Sequence, residues 1–316
     1  MTRPLNIGTR GSELALFQAH AVADLLRTRS DVDCEIVIIK TSGDLLADAP
    51  LSEIGGKRLF VKEIEDALLH GAVDLAVHSS KDMPAVLPAG LAIGAVLPRK
   101  DPRDAVVLPA GQGMEDLGSA PRIGTSSVRR IAQLKRLLPG ATFSPVRGNL
   151  GTRLRKLDDG DYDALVLAAA GLLRLGHESR LSALLPVEAC VPAPGQGIIA
   201  VEIRTDDPGT REIVAKVDDA RAGAALVAER TVVEQLGGGC QMPSGAYAAT
   251  AGDVLSLTAI VLSIDGTRAV TAAQSGPLVD AAAIGLRAAK ELLAGGAGEI
   301  LADVERVRAG VEGLQP

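Results

Sequence analysis

The sequence predicts an α/β protein of two similar lobes with mixed, mostly parallel sheets, followed by a smaller α+β C-terminal domain. Three observations predict it. Short apolar strands alternate with amphipathic helices over roughly the first two hundred residues, the pattern of βαβ units. Two features recur in the same order: Ile7, Gly8, Thr9, Arg10 and Ser12 return as Ile123, Gly124, Thr125, Ser126 and Ser127, and a helix ended by Gly71 with Asp74 before the next strand returns as a helix ended by Gly160 with Asp163. Beyond Asp207 the alternation gives way to helices around a strand pair.

Taken in order, Leu5–Gly8 reads as a strand. Gly11 and Ser12 then open a helix in which Leu14, Phe17, Val22, Leu25 and Leu26 keep helical spacing. Glu35–Lys40 is a β-branched strand, Leu59–Leu69 a helix stopped by Gly71, and Asp74–His78 a strand that runs into Ser79, Ser80, Lys81, Asp82, Met83 and Pro84. In the second lobe Ala164–Leu167 is the matching strand. The stretches Pro98–Arg103 and Val191–Gln196, rich in proline, read as the joins. The expected division is 1–98 with 198–216 for lobe 1, 103–191 for lobe 2 and 219–316 for the C-terminal domain. The last part should hold helices at Pro208–Val217 and Asp219–Leu236, strands at Leu255–Ile264 and Thr267–Ser275 turned through Asp265 and Gly266, and helices at Leu278–Leu293 and Glu299–Val307.

Composition narrows the function. With 47% hydrophobic but only 2% aromatic residues and no Trp, the chain has proper cores and almost no stacking platforms for bases, and its net charge of −6 argues against a nucleic-acid partner. Yet Ala120–Arg180 holds nine Arg and two Lys against four Asp and one Glu, a local basic field suited to an anionic small molecule. Three widely spaced cysteines, Cys34, Cys190 and Cys240, predict neither a disulfide framework nor a zinc site, and four histidines without ligand spacing predict no catalytic metal. No apolar run is long enough for a membrane span, and Arg3 and Arg10 without an apolar stretch give no sign of a secretory signal. The expectation is a cytoplasmic protein, monomeric and without a membrane partner.

One loop stands out chemically. In Gly237, Gly238, Gly239, Cys240, Gln241, Met242, Pro243, Ser244 and Gly245, the glycines strip side chains from around a lone thiol, which presents the sulfur to something bulky; the same run also suits a glycine-rich helix C-cap beside an incidental cysteine. Arg10, Arg129, Arg130, Arg147, Arg153 and Arg174 all fall at transitions between elements, the edge where ligands meet open α/β sheets; any one of them alone reads as a solvated surface charge, and it is their clustering that points to a ligand. Asp82 either caps a short turn or offers a carboxylate, beside Lys81, for stabilising a cation or moving a proton. His78, on an apolar strand, reads as a structural histidine.

The strings VHSSKDMP (77–84), IGTSSVRR (123–130), RGNLGTRL (147–154), AAAGLLRLG (168–176), PAPGQG (192–197) and GGGCQMPSG (237–245) together resemble the porphobilinogen deaminase (hydroxymethylbilane synthase) family, in order and from Ile7 to at least Gly245. The resemblance implies two periplasmic-binding-protein-like lobes and a third domain. It also implies a reaction joining four porphobilinogen units head to tail with loss of ammonia, and a dipyrromethane cofactor held as a thioether by Cys240. By the same mapping Asp82 is the catalytic carboxylate. Lys81, Thr125, Ser127, Arg129, Arg130 and Arg153 grip the carboxylates of the cofactor, and Arg10, Ser12, Gln18, Arg147 and Arg174 hold the incoming substrate or growing chain. Lys57 and Phe60 belong to a loop over the cleft. Two positions depart from the family pattern: Arg58 stands where a glycine is usual and Gly237 where a glutamate is common. A non-catalytic anion-binding protein explains the repeat and the arginines but leaves Cys240 without a purpose. A cysteine-nucleophile acyl or sulfur transferase wants a base near the thiol, and no histidine is close in sequence.

Overall fold

The structure, a computed structural model, describes residues 3–45, 60–237 and 242–312. From the N-terminus come β1 (Leu5–Thr9), α1 (Glu13–Ser30), β2 (Cys34–Ile38), α2 (Ser42–Leu45), α3 (Lys62–Leu69), β3 (Leu75–Ser79) and β4 (Leu91–Val96). The middle of the chain gives β5 (Asp104–Val107), β6 (Arg122–Gly124), α4 (Val128–Leu137), β7 (Thr142–Ser144), α5 (Leu150–Asp158), β8 (Ala164–Ala168), α6 (Ala169–Arg174) and β9 (Ala183–Leu184). The chain returns through β10 (Ile199–Arg204) and α7 (Pro208–Ala215). It ends in α8 (Ala220–Gln235), β11 (Ser244–Ala251), β12 (Val254–Leu262), β13 (Ala269–Pro277), α9 (Ala281–Ala294) and α10 (Ala297–Glu312).

Two five-stranded sheets have the same plan. Their orders are β2-β1-β3-β10-β4 and β7-β6-β8-β5-β9, so β6 stands where β1 does, β8 where β3 does and β5 where β10 does. In each, three parallel strands are followed by one antiparallel to both neighbours. That odd strand is always the one delivered by a crossover between lobes, which strand–helix alternation in the sequence does not register. The repeated motifs occupy equivalent places. Ser12 and Ser127 cap α1 and α4 through their hydroxyls. The Asp74 carboxylate accepts the Asn6 N–H at 2.8 Å, as Asp163 does that of Arg122 at 2.8 Å. Buried Ile, Leu and Val on strands and facing helices make the lobe cores, Ile7, Leu26 and Leu75 in one, Leu157, Leu165 and Leu172 in the other. Each such side chain, fully buried, is worth about 1.5–3 kcal/mol.

The third domain is an antiparallel sheet, β11-β12-β13, packed on α8, α9 and α10. Its first strand is absent from the sequence reading, which has only the later pair. Ser244–Ala251 is built of small residues with no β-branched run, and it is a strand because Ala246 and Ala248 let α8 lie close against the sheet. This domain is tied to both crossovers at one carboxylate. Glu229 of α8, fully buried, accepts Arg99 Nη1 and Nη2 at 2.7 and 2.8 Å, Gly195 N at 2.6 Å and Ala248 N at 2.7 Å. Arg99 also lies over the Tyr247 ring, 5.3 Å from its centroid. Among the described residues no helix is long and apolar enough to cross a membrane.

Candidate active site

The turn after β3 is a short 3₁₀ helix, Ser80–Asp82, closed by Met83 N donating to Ser80 O at 3.2 Å. With three residues per turn, Ser80 and Met83 fall on one side and are buried, which leaves Lys81 half-buried and Asp82 exposed on the other. Met83 packs with Leu226 and Ala222 of α8, so an apolar anchor sets the direction of the two charged neighbours. The turn does not carry Asp82 as a helix cap bonded through its side chain.

Opposite stands the start of α4. Ser127 caps it, and the next turn places Arg129 and Arg130 in buried positions where each has a partner. The partner is Asp104, fully buried at the head of β5. Its Oδ1 accepts Arg130 Nε at 3.0 Å, Arg130 Nη2 at 2.8 Å and Gln196 Nε2 at 2.9 Å; Oδ2 accepts Arg129 Nη1 at 2.8 Å and the Cys190 thiol at 3.4 Å. Burial works against the Asp104 charge, but Arg129 and Arg130 together outweigh it and hold the carboxyl well below the usual carboxylate range. Burial likewise pushes the Cys190 thiol up to about 12, leaving it inert. Val191 O takes a further hydrogen bond from Arg129 Nη1 at 2.7 Å, and Val166 O one from Arg130 Nη1 at 2.9 Å. One carboxylate against two guanidiniums leaves a net positive charge.

Between turn and helix lies a cavity of about 200 Å³. The first lobe supplies Lys81, Asp82 and Met83 to its wall, the second Ser127, Arg129 and Arg130, the crossover Pro194 and Gln196, and the third domain Arg230, Met242 and Ser244. Burial lowers the Lys81 ammonium to about 8, with Asp82 pulling it back up and Arg130 adding to the fall. A wall with this many cations and hydroxyls, facing a single exposed carboxylate, suits a ligand bearing several carboxylates. Among the described residues no group of three or more His, Cys, Asp or Glu could hold a metal.

The other described residues singled out by sequence are not among those lining this cavity. Arg10 is ion-paired with Asp44, its Nε 3.1 Å from Oδ1, and stacks over Phe60 at 4.4 Å. Ser12 is the cap of α1, and buried Gln18 donates to Ser79 Oγ at 2.9 Å. Thr125 is buried, its hydroxyl accepting Ser127 N at 3.3 Å. Arg153 Nε donates to Gly148 O at 2.9 Å, and its pKa is lowered by burial and then by Arg130, with Asp82 opposing. Arg147 precedes α5 and is half-buried. Arg174 Nη2 donates to Gly197 O on the second crossover at 2.7 Å. Lys57, Arg58 and Cys240 lie outside the described residues; Met242 and Ser244, just after the thiol, line the cavity. Gly237 follows the last turn of α8 with φ of 66°, the left-handed position that suits the glycine of a helix C-cap. His78 Nε2 meets Glu202 at 3.1 Å in the sheet interior, a structural histidine. Sequence reasoning missed Asp104 and Arg230, whose only signals are an acid at the start of a strand and a base on a helix.

Known proteins match this chain along its length. The family model described as porphobilinogen deaminase, dipyromethane cofactor binding domain, matches residues 5–212, and that of the porphobilinogen deaminase C-terminal domain residues 224–294. Proteins named porphobilinogen deaminase are 46% identical in Syntrophobacter fumaroxidans, over 96% of this chain and 99% of that one, and 49% identical in Desulforudis audaxviator, over 98% and 100%. Among solved structures, the periplasmic VFT2 domain of Bordetella pertussis BvgS is 16% identical with a TM-score of 0.42, over 67% of this chain and 86% of that one. Immunogenic lipoprotein A from Vibrio vulnificus is 13% identical with a TM-score of 0.42, over 67% and 93%. Matched in both its parts and over nearly the whole length of its relatives, the chain belongs to the porphobilinogen deaminase family.

Proposed function

We propose that this chain joins four porphobilinogen molecules head to tail, releasing ammonia at each step to give hydroxymethylbilane, with a dipyrromethane held as a thioether on Cys240. The observation that carries the reading is the cavity in which Asp82 and Lys81 of one lobe face Arg129 and Arg130 of the other, with Met242 and Ser244 of the thiol-bearing loop at its side. When bound, the dipyrromethane supplies the free pyrrole carbon to which the first substrate is added. Lys81, Ser127, Arg129 and Arg130, with Thr125 and Arg153 behind them, hold its carboxylates. Arg10, Ser12, Gln18, Arg147 and Arg174 hold those of the incoming substrate or growing chain, and Lys57 and Phe60 cover the cleft.

Asp82 does the work at the reacting centre. As the substrate C–N bond breaks and ammonia leaves, the methylene-pyrrole becomes electron-deficient, and an adjacent carboxylate stabilises it. When the new C–C bond forms, a proton is displaced, and the same carboxylate is the base that takes it. The net charge of −6, the aromatic content of only 2% and the expected cytoplasmic, monomeric state fit an enzyme whose partner is this small molecule.

Intact mass spectrometry tests the reading. The purified protein should carry a two-pyrrole adduct that disappears in Cys240→Ala, whereas Asp82→Asn should keep the adduct and lose at least about a hundredfold in turnover, the scale of a lost acid–base group. An active protein with an unmodified Cys240 sinks the tether; wild-type rates in Asp82→Asn remove that residue from catalysis.

A further inference from the structure

α8 links the third domain to the Asp82 turn through two neighbouring side chains on one helix face. Leu226 and Arg230 are four residues apart and so lie one above the other. Leu226 packs on Met83, the residue after Asp82. Arg230 Nη2 donates to Pro84 O and to Ala85 O, both at 2.8 Å. These carbonyls follow the 3₁₀ turn in a stretch without regular secondary structure, and the guanidinium brings their backbone to α8 from across the domain boundary. Arg230 also lines the cavity with Lys81, Asp82, Arg129 and Arg130. Ten residues later α8 has ended and the chain has reached Cys240.

We propose that Arg230 is a positioning residue for the polymerisation: it fixes the Asp82 turn in register with the helix that leads to the cofactor cysteine. The inference rests on the function proposed above. It assigns the third domain a task besides bearing the thiol, namely holding the turn that carries the carboxylate of lobe 1 against α8. A leucine contact resists separation but permits sliding, since dispersion has no direction. Two hydrogen bonds from one nitrogen to consecutive carbonyls remove that freedom. Asp82 needs such support because it stands exposed on a three-residue turn, and a misplacement of about 1 Å at a reacting group costs on the order of a hundredfold in rate.

Arg230→Gln removes the charge and the reach to both carbonyls; Arg230→Lys keeps a cation with a different donor geometry. In Arg230→Gln the expected result is a full two-pyrrole adduct by intact mass, a kcat lower by about 10- to 100-fold and a KM within about twofold of wild type. Arg230→Lys should restore part of kcat. A purely structural contact would lower the melting temperature and leave kcat per folded molecule unchanged, which overturns the proposal. So does a raised KM at unchanged kcat, the signature of a carboxylate ligand, or an Arg230→Gln protein that never acquires the adduct. If wild type itself carries no adduct and makes no hydroxymethylbilane, the proposed function fails; if wild type is active and Arg230→Gln matches it, only the role of Arg230 does.

Discussion

Lys81 shows how a single residue takes its chemistry from its surroundings. A lysine on a surface turn keeps its charge far into the alkaline range, but burial brings this one down to about 8. The sign follows directly: the ammonium is present below about pH 8 and lost above it. Since the folded value lies below the ordinary 10.5, the charged form costs the fold some stability at neutral pH, and that cost fades as pH rises from about 8 to 10.5. Loading should move the other way. The porphobilinogen concentration that half-loads the apo-protein, read by intact mass, should rise above about pH 8 by up to about tenfold per unit, and Lys81→Arg should flatten that rise. A wild-type loading curve indifferent to pH between 7 and about 9.5 would remove Lys81 from the grip on the carboxylates. Asp104 belongs to the same scale: its oxygens set where Arg129 and Arg130 sit, so the two arginines reach the cavity wall already held in place.

At the scale of elements, the crossovers decide where the parts of the site stand. They run antiparallel into the sheets as β5 and β10, and the stretches before those strands touch each other: Lys100 N donates to Gly197 O at 3.0 Å, and Gln196 Nε2 donates to Pro102 O at 2.6 Å. Gly197 permits this approach. Its φ is 87°, and a Cβ there would lie 2.4 Å from Lys100 O. Gly197→Ala should therefore cost about 1–3 kcal/mol in a denaturant titration and lower turnover, because the carbonyl that Arg174 binds would shift with the backbone. Unaltered stability in that variant would mean that the crossovers part without strain. The helices contribute through their starts: the capped first turns of α1 and α4 bring their N–H groups and the adjacent arginines to the cleft side of each lobe.

For the whole molecule the decisive contact is the fully buried Glu229, which joins Arg99 of the first crossover, Gly195 of the second and Ala248 of the third domain. Replacing one member of such a pair leaves the other charge buried without its counterion, at about 3–5 kcal/mol. Glu229→Ala should lower the melting temperature and, in calorimetry, separate the third domain's transition from that of the lobes, where wild type melts in one step. A single wild-type-like transition in the variant would show that apolar contacts alone unite the three cores. Lobe 1 brings Asp82 and Lys81 to the cavity and lobe 2 brings Arg129 and Arg130, and this junction ties both crossovers to the third domain that completes the wall.

Much of this was legible in the residues. The repeat of Ile7–Ser12 in Ile123–Ser127 reflects a local rule, a hydroxyl cap that acts over a few residues and leaves a pattern in the chain; Asp74 and Asp163 were visible as a repeat, but their partners Asn6 and Arg122, 68 and 41 residues away, were not. The basic stretch, Asp82 and Cys240 were visible because their residue types are unusual where they stand. β11 was not, since an alanine-rich segment has no strand signature and becomes one only against α8. Nor were Asp104, Glu229 and Arg230, ordinary charged residues whose partners lie tens of residues or more away along the chain. By itself the sequence determined the α/β class, the duplicated plan and the chemical groups available. The tertiary structure alone decided which charges neutralise one another and which remain to face the cavity, because pairing and burial depend on contacts between segments distant in the chain.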